Sequence, residues 1–174
     1  MNIEEIYIQI FNNDDDSIIE LAKKEVMVIP ILVNTMLDNA DSRAEKILIQ
    51  LSEQSPILVY QYFTYISQMA DRYNNSAAWN MWKIIANVLI VDLFDLWEYV
   101  KPKYFNSFKS EIITEVLISI STAKTIIKYK PNDKDIIIEA IKDCVNNNYK
   151  ICGEAAPHIK AVAENAVKEF FEDF

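Results

Sequence analysis

Glycine is nearly missing from this chain, with one residue among 174. Glycine serves tight turns, bulges and phosphate cradles because it tolerates positive φ. One glycine excludes Gly-rich nucleotide loops and disfavours a hairpin-rich all-β fold. Histidine is equally scarce: His158 stands alone. General acid–base and triad chemistry lean on histidine, so the catalytic repertoire is thin, and no set of residues amounts to a reaction centre. The two cysteines, Cys144 and Cys152, make no disulfide framework and read as small buried hydrophobes in a reducing compartment. No run of 18 uninterrupted apolar residues is present, so no membrane span is expected. The opening MNIEEIYIQI is acidic, where a secretory signal would begin with a basic patch. The expectation is a cytoplasmic protein.

What is present is apolar. The hydrophobic fraction is 51%, ample for a core, and the length suits one domain over residues 1–174. The net charge is −9, which repels phosphate backbones and acidic membrane surfaces. Its distribution is uneven. Residues 1–20 carry six acids and no base, whereas residues 101–134 carry seven lysines against three acids.

The chain is organised around residues 76–91, SAAWNMWKIIANVLIV. At 100° per residue its polar side chains, Ser76, Asn80, Lys83 and Asn87, fall on one line, and every other position is apolar or alanine. A helix apolar on nearly all sides packs between neighbours. Other segments follow the same pattern. Residues 3–11 fit a helix better than a strand. Asp16 or Ser17 caps a short helix to about residue 25, and a helix starts near Pro30 and ends near Asp38. Ser42 and Glu45 form a capping box for a helix with polar line Arg43, Lys46, Gln50, Glu53. Ser55-Pro56 opens a helix over 57–71 with polar line Gln61, Thr64, Gln68, Asp71. Helix is expected to continue over 92–100, with Leu93, Leu96, Trp97 and Val100 on one side, until Lys101-Pro102-Lys103 interrupts it. Ser110 caps a helix to about Lys128. Asn132 and Asp135 open one to about Asn146, and Pro157 sits in the first turn of the last.

Laying KILIQL (46–51) on KIIANV (83–88) superposes polar on polar and apolar on apolar. The stretch AEKILIQLSEQSPILVYQYFTYISQMA (44–70) resembles a HEAT-type repeat: an amphipathic helix, a tight turn, and a second helix opened by proline. SAAWNMWKIIANVLIVD looks like the first helix of the next unit. The resemblance is best over residues 42–100, weaker from 111 onward and poor before 40. It implies an all-α fold of stacked antiparallel helix pairs, a short HEAT-like, armadillo-like α-solenoid. It also implies a non-enzymatic module that binds another protein as a scaffold, with no cofactor. Some HEAT-like proteins are DNA-repair glycosylases, which makes a nucleic-acid-associated protein the alternative. An acidic chain with only two arginines argues against that reading. A subunit of a homo-oligomer is a third reading.

Thirteen of the twenty aromatics lie between Tyr60 and Phe108. Most read as core, and Tyr60, Tyr99 and Tyr104, near helix ends, read as the exposed members of a partner groove. Lys101, Lys103, Lys124 and Lys128 read as a basic strip for an acidic partner. Cys144, Cys152 and His158 do not have zinc-finger spacing, so no metal site is expected.

Overall fold

The computed structural model describes residues 2–172 and residue 174. Among these, the chain forms eleven α-helices, four short 3-10 turns and one two-stranded hairpin. The fold is all-α. The backbone divides into two compact units, Met1–Asp92 and Leu93–Phe174. No helix among the described residues is long and apolar enough to cross a membrane.

The first unit holds α1 (Ile3–Asn12), α2 (Asp15–Ala22), α3 (Val28–Asn39), α4 (Ser42–Gln54), α5 (Pro56–Tyr60), α6 (Phe63–Arg72) and α7 (Ser76–Val88). A 3-10 turn, Leu89–Val91, completes it. Asp14, rather than Asp16 or Ser17, caps α2 by accepting from the Ser17 amide at 2.8 Å. Asp41, one residue before the expected Ser42, caps α4 by accepting from the Arg43 and Ala44 amides. A carboxylate caps as well as a hydroxyl and also meets the positive end of the helix dipole. Glu45 is thereby freed for α7. The helix expected over 57–71 is broken between α5 and α6 at Gln61 and Tyr62. The break accompanies two tertiary bonds: Tyr60 Oη donates to Asp92 Oδ1 at 2.7 Å, and Tyr62 Oη to the Val26 carbonyl at 2.5 Å.

The organising stretch lies inside this unit. α7 buries Ala77, Ala78, Met81, Trp82, Ile84, Ile85, Ala86 and Val88, and packs against α3, α4, α5 and α6. Two members of its polar line, Asn80 and Asn87, are half-buried and bonded. Asn80 Nδ2 donates to Glu45 Oε2 at 3.0 Å, and Asn87 Nδ2 donates to Ser52 Oγ at 2.9 Å. Each pair is separated by 35 residues. Both partners advance by one heptad in the same direction, so α4 and α7 run parallel. The same holds for α3 and α6. Tyr65 Oη donates to Asn34 Oδ1 at 2.6 Å, and Tyr73 Oη donates to Asp38 Oδ1, again 35 residues away.

The second unit holds α8 (Trp97–Ser107), α9 (Ile113–Tyr129), α10 (Lys134–Asp143) and α11 (Lys160–Glu172). Between the last two, β1 (Lys150–Ile151) pairs antiparallel with β2 (Glu154–Ala155) across Cys152 and Gly153, at φ 51° and 85°. Two successive positive φ values make the tight turn that fits twisted strands, and here the lone glycine is spent. Pro102 does not interrupt the chain; it lies inside α8. Trp97, Tyr104 and Phe108 are fully buried on either side of it. That burial outweighs the ~3 kcal/mol an interior proline costs. The offset seen in the first unit recurs. Trp97 bonds Asp133, 36 residues on, and Asn147 Nδ2 donates to the Phe108 and Ser110 carbonyls at 2.7 and 3.1 Å. The start of α8 therefore lies by the start of α10, and its end by the end of α10, so these two also run parallel.

Candidate functional site

Leu93 and Phe94 open the second unit in a turn, and Asp95 follows at φ 50°. A left-handed residue reverses the chain and lets the Glu98 amide donate to the Asp95 carbonyl at 3.1 Å. α8 starts immediately afterwards, on Trp97. The indole is fully buried and its Nε1 donates to Asp133 Oδ2 at 2.6 Å. Lys101 Nζ lies 2.7 Å from Glu98 Oε2 and 3.5 Å from Asp133 Oδ1. Hydrogen bonding to Glu98, with the Asp133 charge behind it, raises the Lys101 pKa, so its ammonium is stable at any physiological pH. Lys130 Nζ lies 3.4 Å from Asp95 Oδ1. The base of the turn is thus tied down by one buried indole, two ammoniums and their carboxylates.

On that base stand the most exposed large apolar side chains of the protein. Leu93 is 72% exposed, Phe94 75% and Tyr99 82%. Lys103, one helical turn beyond Tyr99, is also exposed. A rigid helix start carrying a leucine, two aromatic rings and an ammonium offers adhesive area at low entropy cost.

The partner residues expected from sequence are dispersed. Tyr99 and Lys103 lie on this surface. Tyr60 is buried at 5% exposure with its hydroxyl on Asp92. Tyr104 is wholly buried and donates to the Ser119 carbonyl at 2.8 Å; burial raises its pKa strongly. Both lie near helix ends, but each hydroxyl found a polar acceptor within the fold, which makes a tyrosine a core residue. Lys101 sits at the base of the turn. Lys124 and Lys128 are on α9, their ammoniums 5.5 Å and 5.0 Å from the Phe170 and Tyr129 ring centres. Leu93, expected on one helix side with Trp97, lies before the helix and is exposed while Trp97 is buried, and Phe94 is not singled out by the sequence. The signal was there: Asp92 and Asp95 bracket Leu93 and Phe94, and two acids around two apolar residues mark a turn.

Elsewhere, Cys144 is buried and Cys152 exposed, so the two thiols do not share an environment. Burial pushes the Cys144 thiol up to about 11. His158 is exposed. Comparison with protein-family models, with curated proteins and with solved structures returned no match.

Proposed function

We propose that this chain is a non-enzymatic, protein-binding scaffold module made of recurring HEAT-like helix pairs, and that it engages its partner through the turn at Leu93 and Phe94 and the exposed face of α8. The observation that carries the reading is the combination of Leu93, Phe94 and Tyr99 in water with Trp97 locked beneath them. Large apolar side chains left exposed on a rigid base are a feature of interaction surfaces. The recurring offset is further support. Helices begin at Val28, Phe63, Trp97 and Lys134, and again at Ser42, Ser76 and Ile113, in steps of about 35 residues. Such steps are typical of solenoids of helix pairs, whose usual role is binding. A nucleic-acid reading loses support, because Lys101, Lys124, Lys128 and Lys130 are each engaged within the chain by a carboxylate or a ring.

The test is a photo-cross-linking amino acid at position 99, with a control at exposed position 164 on α11. The reading predicts a discrete adduct from position 99 only, lost when Leu93→Ser and Phe94→Ser are added. Equal adducts from both positions, or adducts indifferent to the two serines, would refute it.

A further inference from the structure

The C-terminal helix is held in an unusual way. Only Ala163 and Phe170 are buried along the thirteen residues of α11. Its end carries three phenylalanines, and each lies under a different lysine. Lys124 Nζ of α9 is 5.5 Å from the Phe170 ring centre. From α10, Lys142 Nζ is 5.6 Å from Phe171 and Lys134 Nζ is 4.9 Å from Phe174. The rings also touch one another, Phe170 edge-on to Phe171 at 5.2 Å and stacked on Phe174 at 5.1 Å. Around them the tail is acidic, with Glu169, Glu172 and Asp173 in its sequence and Lys168 its one base after Lys160. Ammoniums set over ring faces, with carboxylates beside them, are a recognition chemistry as well as a packing chemistry.

α11 rests chiefly on α9, with most of its length in water. Elements with few buried side chains sit toward the low-stability end of a fold. It is tethered through the exposed hairpin β1–β2, whose turn residues have positive φ. α9, by contrast, buries eight side chains.

We propose that the lysine-set face of α9 and α10 is a second docking site, for an acidic helix end of a partner protein bearing phenylalanines at i, i+1 and i+4, and that the chain's own tail occupies it as a displaceable stand-in. The occupant's chemistry is argued from the tail itself: three rings matched to three ammoniums, with acids flanking them. This site goes beyond the α8 surface and shares no residue with it, so either can fail alone.

The probe is a fluorescent peptide with the sequence of residues 160–174, titrated against the full-length chain. Phe171→Ala with Phe174→Ala, at partly exposed positions, frees the seat without emptying a core position. This double variant binds the peptide at least tenfold more tightly than the unmodified chain. Adding Lys134→Glu and Lys142→Glu reverses the gain, and a peptide with its three phenylalanines replaced by alanine does not bind. Hydrogen exchange of the double variant shows faster exchange over 160–172 and unchanged protection over 113–143. Equal peptide binding by both chains would overturn the proposal. So would equal competition from a polyglutamate of the same charge, or loss of protection in α9 and α10 together with α11. Dimerisation of the double variant in light scattering would also contradict it, because a second copy would then be the occupant.

Discussion

Asp133 is a buried carboxylate whose place is defended by Trp97. The indole N–H donates at 2.6 Å, and Lys101 stands further off at 3.5 Å. A hydrogen bond to a charged, buried acceptor is worth more than a neutral one, because its loss leaves the charge under-solvated. Trp97→Phe keeps most of the apolar volume and removes that donor. It is expected to destabilise the second unit by about 2 kcal/mol, read from the urea midpoint at unchanged slope. Asp133→Asn with Trp97→Phe should recover part of the loss, because the neutral amide costs less to leave unpaired. The buried hydroxyl cluster nearby follows the same logic. Ser107 Oγ bonds the Tyr104 carbonyl at 2.6 Å and Ser119 Oγ at 2.5 Å, so polar atoms in this core are matched to one another.

At the level of elements, α7 shows what a helix packed on several sides needs. Its apolar arc is wide, and its few polar side chains reach one neighbour, α4. Ile84 is fully buried, so Ile84→Ala is expected to cost about 3 kcal/mol, whereas Asn87→Ala removes one neutral bond and costs about 1 kcal/mol. Thermal and urea unfolding of the two variants measure both. The reverse order would mean that α7 is held by its polar seam and not by its apolar faces. Periodicity made α7, α4 and α9 legible in the sequence, because burial on a helix leaves a 3.6-residue trace. Ends and breaks were less legible. Asp41 and Ser42 are adjacent and both cap well, so only geometry chooses between them. Pro102 looked like a stop because a proline's cost is local, while the burial of Trp97 and Tyr104 that outweighs it is tertiary. Tyr60, Tyr99 and Tyr104 look alike in sequence. Tyr60 and Tyr104 are buried with their hydroxyls on acceptors, Asp92 and the Ser119 carbonyl, that lie 32 and 15 residues away, whereas Tyr99 is exposed. For the same reason only part of the candidate site, Tyr99 and Lys103, could be chosen in advance.

For the whole molecule, the recurring observation is an offset. In the first unit, side-chain bonds join residues 35 apart between α4 and α7 and residues 31 and 35 apart between α3 and the end of α6, and in the second unit residues 36 to 39 apart. Within each unit, repetition of this kind sets helices of similar direction side by side. The binding role proposed above rests on this frame being real. Its most direct test pairs Ser52→Cys with Asn87→Cys in the full chain under mild oxidation, with the linkage mapped by mass spectrometry. Because the two native side chains are hydrogen-bonded at 2.9 Å, the account predicts a rapid 52–87 disulfide and none in the control that joins Ser52→Cys to Asn80→Cys. A bond in the control, or failure of 52 to join 87, would contradict the parallel register on which the molecule is built.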